Sequence, residues 1–130
     1  QFAALEVALD MWLTVDMHAL RAASVALTER FIAEVESQCA GFGLTLATPR
    51  NADIRGSQVS FRHDEGYAIM QALIARGVIG DFRAPDILRF GFTPLYINEA
   101  DVVNAVKHFR EVLQSREYER AEFRARGKVT

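Results

Sequence analysis

The apolar residues of this chain recur at two different spacings, and the order of these spacings constrains the fold more than any other feature. From Met17 to about Gln38 they recur every three or four residues, which predicts a long helix with one apolar face. In residues 57–63, SQVSFRH, they alternate with polar residues, which predicts a strand with one buried face. A chain that uses both spacings has to pack helices against a sheet.

The remaining elements follow from the same patterns and from the turn residues between them. Three more strands are predicted, in GLTLATP (43–49), VIGDF (78–82) and ILRFGFT (87–93). Pro49 ends the first of these, Pro85 forms the turn before the last, and RNADIRG (50–56) is predicted to be a polar loop. The order is helix, two strands, helix, two strands, helix. The predicted fold is α+β: a small antiparallel or mixed sheet of about four strands covered by helices.

Helix ends and helix faces can be predicted as well. Thr14 or Asp16 can cap the first long helix, Asp64 can cap the second, and Asn98 can cap the last. The inward residues of the second helix are expected to be Tyr67, Met70, Leu73 and Ile74. Those of the last helix are expected to be Val102, Val106, Phe109 and Leu113.

Composition excludes several classes of function. The net charge is −2, so no overall attraction to nucleic acid or to an anionic membrane is expected. No apolar run approaches the roughly 20 residues that cross a bilayer. The single cysteine, Cys39, cannot form an internal disulfide, which favours a reducing compartment and predicts a cytoplasmic location. His18 and His108 have no ligand spacing around them, so no metal site is expected.

One charged residue interrupts the last predicted strand. Alternation places Leu88, Phe90 and Phe92 on its buried face and Arg89 on the other face, where Gly91 leaves room beside it. A guanidinium is permanently charged and fits a carboxylate through two parallel hydrogen bonds. Arg89 is thus either an arginine on a solvated sheet face, paired to a glutamate, or a receptor for a carboxylate ligand.

Other polar residues near this strand have structural interpretations. His63 follows a strand and precedes a helix, where an imidazole can cap the helix or bond to a loop, and a catalytic role is the alternative. Asp81 and Arg83 flank Phe82 and can pair with each other or lie at the rim of a substrate pocket. These three residues are not assigned to the site.

Two segments of the chain resemble a known family. RGSQVSFRHDEGYAIMQALIARGVIGDFRAPDILRFGFTPLY, residues 55–96, resembles the C-terminal part of kynureninase, a pyridoxal-phosphate enzyme of the aspartate-aminotransferase superfamily. LTVDMHALRAASVALTERFI, residues 13–32, is similar to the helix that leads from the large domain into the small one in that family. The longer segment is the more specific of the two.

The resemblance implies both an activity and a role for Arg89. The family hydrolyses L-kynurenine, or its 3-hydroxy form, to anthranilate, or 3-hydroxyanthranilate, and L-alanine in tryptophan degradation. The implied fold is the small domain of a fold type I enzyme, and the implied assembly is a homodimer. In the family, the arginine of the LRFGFTPLY segment binds the substrate α-carboxylate, and that position here is Arg89.

The rest of the site that the resemblance implies is not expected in this chain. The only lysines are Lys107 and Lys128, and neither lies in a context like that of the family's cofactor lysine. The chain starts at Gln1 in an apolar run, which predicts a fragment that is inactive alone and contributes no catalytic or cofactor-binding residue. The expected divisions are residues 1–16, a remnant of the large domain or inter-domain helix, residues 17–115, the small domain, and residues 116–130, a charged tail.

Two other classes of function stay open. One is the small domain of another enzyme of the superfamily, a cysteine desulfurase or a lyase, which would share the carboxylate-binding arginine. The other is an independent α+β module that binds a small carboxylate through Arg89 without catalysis.

Overall fold

The structure is a computed structural model that describes residues 2–125. The helices are α1 (Phe2–Trp12), α2 (Met17–Gln38), α3 (Gly66–Ala75), α4 (Glu99–Ser115) and α5 (Ala121–Arg124). The strands are β1 (Thr45–Leu46), β2 (Gln58–Arg62), β3 (Asp81–Arg83) and β4 (Ile87–Gly91). Two short 3-10 helices, Ala52–Ile54 and Glu117–Glu119, lie in the connections.

The four strands form one antiparallel sheet in the order β1-β2-β4-β3. The predicted α+β fold is therefore confirmed, with the antiparallel form of the sheet. The two central strands, β2 and β4, are the two longest, because each has a full set of neighbours on both sides. The third strand begins at Asp81, three residues later than expected, since its pairing with β4 starts opposite Arg89.

Three helices cover one face of the sheet and enclose the core. Val59 and Phe61 of β2 and Leu88 and Phe90 of β4 are buried. Phe31 of α2 packs on Phe90 with a ring-centroid distance of 5.0 Å. Burial of each such side chain contributes about 1.5–3 kcal/mol, so the aromatic side of β4 has to face the helices. The opposite side of β4, with Arg89, consequently faces away from them.

The helix caps agree with prediction at two of three helices. Asp16 accepts hydrogen bonds from the backbone N–H groups of His18 and Ala19 at 2.8 and 3.2 Å. Asn98 and Asp101 form a complete capping box at the start of α4. The prediction that Asp64 caps α3 is wrong, because α3 begins one residue too late for its side chain to reach the first turn.

The buried face of α3 includes residues that the spacing of its apolar residues did not predict. Met70 and Leu73 are buried and Tyr67 is half-buried, but Ile74 is exposed, so that part of the prediction is wrong. Ala68, Ile69 and Ala72 are buried instead. The reason is that α3 lies between the sheet on one side and the segment after α4 on the other.

The segment after α4 packs on the domain over residues 116–125. Tyr118 and Phe123 are partly buried against the core. Arg76 at the end of α3 binds the carboxylates of Glu111 and Glu117. The described part of the predicted tail is thus attached to α3, and the remainder lies outside the described residues. The three predicted divisions of the chain stay predictions.

Helix α1 differs from every longer helix in having no buried residue. Its apolar side chains are exposed, among them Phe2, Leu5, Val7, Leu9, Met11 and Trp12. Across residues 2–125, none of the helices combines the length and the apolar character that a membrane crossing requires.

Candidate functional site

Arg89 lies in the middle of the sheet, on the face away from the helices. In the neighbouring strands it is directly opposite Ser60 of β2 and Asp81 of β3. Its side chain is 32% exposed, so the guanidinium is open to solvent while the strand below it is fixed by ladders on both sides. This combination of a rigid backbone and an accessible charged group suits a receptor for an anion.

The neighbours of Arg89 along β4 explain its orientation. Leu88 and Phe90 are buried on the helix side, so alternation directs Arg89 to the other side. Gly91 is on the same side as Arg89, and a Cβ built on it would meet no atom within 4 Å. There is therefore open space beside the guanidinium.

The guanidinium of Arg89 is paired with an aspartate. Its Nη2 donates a hydrogen bond to Oδ2 of Asp81, and Nε of Arg83 lies 3.0 Å from the same oxygen. The predicted pairing of Asp81 with Arg83 is thus present. Within residues 2–125, Nε and Nη1 of Arg89 make no hydrogen bond. The Asp81 pair leaves donors on Arg89 that a ligand carboxylate can use.

The charges on this face do not cancel. In the next row of the sheet, Nη1 of Arg62 donates to both carboxylate oxygens of Asp86 at 3.0 and 3.2 Å. The face therefore has three guanidiniums, those of Arg62, Arg83 and Arg89, and two carboxylates. The excess of one positive charge matches a ligand with one carboxylate.

His63 connects two loops instead of contacting Arg89. Its Nδ1 accepts a hydrogen bond from the backbone N–H of Glu65 at 2.9 Å, next to the start of α3. Its Nε2 lies 2.9 Å from the carbonyl oxygen of Phe42, which assigns the proton to Nε2. Both ring nitrogens are occupied, so the structure places His63 in its predicted capping and loop-bonding position.

The other two histidines are also remote from Arg89. His18 lies in the first turn of α2, and Nδ1 of His108 is 3.7 Å from the carboxylate of Glu111. No group of three or more potential metal ligands occurs in the described part of the chain. Burial raises the pKa of the Cys39 thiol to about 11, so it is protonated at neutral pH and is a poor nucleophile.

Arg55 is a structural residue that sequence patterns missed. Its side chain is only 2% exposed. It donates hydrogen bonds to the carbonyl oxygens of Pro49 and Arg50 at 3.1 and 2.8 Å, to Thr28 and to the carboxylate of Glu29. The predicted polar loop is therefore held on α2 by a buried arginine. A single arginine in a polar segment offers no periodic signal, so only the fold reveals it.

The described residues do not fit a pyridoxal-phosphate site. Lys107 is the only lysine among them, and it is exposed on α4, in the helical layer on the opposite side of the sheet from Arg89. Lys128 lies outside the described residues. Among residues 2–125, the face around Arg89 offers no amine for the cofactor aldehyde.

Comparison with protein families matches residues 20–109 to the family described as the kynureninase C-terminal domain. The kynureninase of Burkholderia mallei strain SAVP1 is 55% identical over 125 residues, which are 96% of this chain and 30% of the relative. The kynureninase of Pseudomonas fluorescens is 52% identical over 128 residues, which are 98% of this chain and 31% of the relative. The chain thus spans less than a third of the length of these relatives.

A solved structure of a NifS-like protein has a similar fold. It superposes with a TM-score of 0.64 at 16% sequence identity, covering 75% of this chain and 29% of that one. At this identity the likeness concerns the fold alone.

Proposed function

The chain belongs to the kynureninase C-terminal domain family, and we propose that it is the small domain of a pyridoxal-phosphate-dependent kynureninase. The complete enzyme would hydrolyse L-kynurenine or 3-hydroxykynurenine to anthranilate or 3-hydroxyanthranilate and L-alanine. The identity to kynureninases over nearly the whole chain supports this proposal. Because the chain covers only about 30% of those relatives, most of the active site would come from other residues.

In this proposal Arg89 binds the α-carboxylate of the substrate. The observation that supports it best is the excess positive charge on the open sheet face together with the unbonded Nε and Nη1 of Arg89. Two parallel hydrogen bonds, formed by the second N–H of Nη2 together with an N–H of Nε or Nη1, would define the orientation of the carboxylate as well as its position. The antiparallel ladders on both sides of β4 keep the receptor rigid.

Arg89 would act by orientation and not by proton transfer. A guanidinium keeps its protons at every physiological pH, so it cannot serve as a general base. Holding the carboxylate limits the rotation of the bound amino acid, which lowers the entropic part of the barrier. Loss of this contact should weaken transition-state binding by about 2–5 kcal/mol.

Pyridoxal phosphate, when bound, supplies the electron sink for chemistry at the substrate α-carbon. The residues that hold it would lie outside this chain, because the described residues do not fit it. We therefore expect the chain alone to be inactive. Residues 1–16 would belong to the boundary with the large domain, which agrees with the exposed apolar side chains of α1. A homodimeric, cytoplasmic enzyme with a small-molecule substrate completes the proposal.

The second candidate is the small domain of another enzyme of the superfamily, such as a cysteine desulfurase or a lyase. The fold shared with the NifS-like protein favours it, but the sequence identity to that protein is only 16%. Identities of 52% and 55% to kynureninases favour the first proposal. A module that binds a carboxylate without catalysis would show binding to Arg89 but no turnover in the complete gene product.

The test is anthranilate release from L-kynurenine by the complete gene product with added pyridoxal phosphate. We expect turnover by the parent and a fall in kcat/KM of about thirtyfold or more in Arg89→Met, which corresponds to the lower limit of about 2 kcal/mol. Arg50→Met is the control, since it removes an exposed arginine that pairs with Glu36 and takes no part in the charge cluster around Arg89. No turnover by a folded, cofactor-loaded parent would refute the kynureninase proposal.

A further inference from the structure

Asp81 lies between two arginines on the open face of the sheet. It is the first residue of β3 and is directly opposite Arg89 in β4. Its Oδ2 accepts a hydrogen bond from Nη2 of Arg89 and is 3.0 Å from Nε of Arg83. One carboxylate oxygen is therefore shared by two guanidiniums, one from its own strand and one from the neighbouring strand.

This contact restricts the side chain of Arg89. An arginine side chain has several rotatable bonds, and holding it in one conformation costs rotamer entropy. The contact with Asp81 meets part of this cost before any ligand binds, which is the principle of preorganisation. Because only Nη2 is used, the remaining donors stay available on the accessible side of the guanidinium.

The shared carboxylate also limits the charge at the receptor. Asp81 compensates one of the two guanidiniums that it contacts, and Arg62 has its own partner in Asp86. The cluster of Asp81, Arg83 and Arg89 then has a net charge of +1. Without Asp81 it would have a charge of +2 and a more mobile Arg89, which would favour anions in general over one oriented carboxylate.

We propose that Asp81 is a positioning residue for the carboxylate receptor Arg89. It acts by binding Nη2, which orients the guanidinium so that its free donors face a ligand. This inference rests on the proposed function, in which that ligand is the α-carboxylate of the substrate. The simple alternative is an exposed ion pair, which contributes little to stability and orients nothing.

The first test concerns the 130-residue chain and needs no activity. In nitrogen-15 spectra, the side-chain signals of Arg89 are assigned by their loss in Arg89→Lys. We expect hindered rotation of the guanidinium in the parent, fast rotation in Asp81→Ala, and hindered rotation in the control Asp86→Ala, which removes the partner of Arg62. Unchanged rotation in Asp81→Ala would overturn the positioning role.

The second test uses the complete gene product with pyridoxal phosphate. We expect Asp81→Asn to raise the KM for L-kynurenine about tenfold, and Asp86→Asn to change it less than about twofold. An unchanged KM in Asp81→Asn would overturn the role, and a lowered KM would show that Asp81 competes with the substrate and would also overturn it. Absence of turnover in the parent would refute the proposed function alone, and the guanidinium rotation would then decide the role of Asp81.

Discussion

The guanidinium of Arg76 at the end of α3 binds both carboxylate oxygens of Glu117. Nε of Arg76 is 2.5 Å from Oε1 and Nη2 is 2.9 Å from Oε2. The pair joins the segment after α4 to the body of the domain, and the Glu117 side chain is only 16% exposed. Partial burial distinguishes it from the exposed ion pairs, such as that of Arg50 with Glu36, which has the same bidentate geometry.

This pair predicts how the attachment of the C-terminal segment depends on pH. The hydrogen bond from Arg76 lowers the pKa of Glu117 below its ordinary value of 4.5, and the folded state therefore binds this proton less readily than the unfolded state. The resulting stabilisation is complete above about pH 4.5 and is lost as the pH falls through the lowered pKa. We expect the protection of the α5 amides against hydrogen exchange to fall selectively as the pH drops below about 4.5.

The corresponding variant is Glu117→Gln. We expect it to lower the free energy of unfolding by about 1–2 kcal/mol at pH 7 and to remove the pH dependence of the protection of the α5 amides. Glu122→Gln is the control, since Glu122 is 63% exposed and its distance to Arg120 is 3.7 Å. Equal effects of the two variants in urea unfolding would show that the Arg76 pair has no special role.

Arg55→Met tests the buried arginine beneath the loop of residues 50–56. The substitution leaves the carbonyl oxygens of Pro49 and Arg50 without their donor, so we expect a loss of about 1–3 kcal/mol in stability. The measurement is urea unfolding followed by circular dichroism. Arg50→Met, which removes an exposed pair with Glu36, should leave the midpoint unchanged. A similar midpoint for both variants would contradict the prediction.

Gly80→Ala tests the close packing behind Arg89. A Cβ at this position would be 2.6 Å from Cε of Met70 and 3.0 Å from the backbone oxygen of Arg89. Because Met70 is fully buried, we expect overpacking to cost about 1–3 kcal/mol in thermal or chemical unfolding. Gly56→Ala is the control, since its Cβ would meet no atom within 4 Å. Equal stability of the two variants would show that Met70 can move freely.

Gly91→Val tests whether the ligand reaches Arg89 across the open space beside it. A Cβ at Gly91 meets no atom, and a β-branched residue suits a strand, so stability should not fall. In the complete gene product we expect the KM for L-kynurenine to rise about tenfold, since the valine narrows the approach to the guanidinium. The control is Gln58→Val, which places the same side chain on the residue of β2 that pairs with Gly91. A KM unchanged by Gly91→Val would indicate another direction of approach.

Much of the fold could be predicted because it depends on local chemistry. The period of the apolar residues predicted α2 and β2 at their observed positions, and the capping chemistry of Asn98 predicted the start of α4. The prediction failed at Asp64, because α3 begins one residue too late for that side chain to cap it, and at Ile74, where a neighbouring element decides the outcome. Which side chains of α3 are exposed depends on the segment after α4, which is far from α3 in the sequence.

The candidate site, like the fold, could be predicted from the sequence only in part. Strand alternation alone determined that Arg89 lies on the face opposite the aromatic residues, since successive side chains of a strand have to point to opposite faces. The sequence therefore determined that Arg89 lies on the open face of the sheet in an α+β fold. Only the tertiary structure decided that Asp81, and not a glutamate elsewhere, is its partner. The pairing register of β3 and β4 places these two residues, which are eight positions apart in the sequence, directly opposite each other. The burial of Arg55 likewise depends on α2 and the loop meeting in space, a relationship that no local pattern contains.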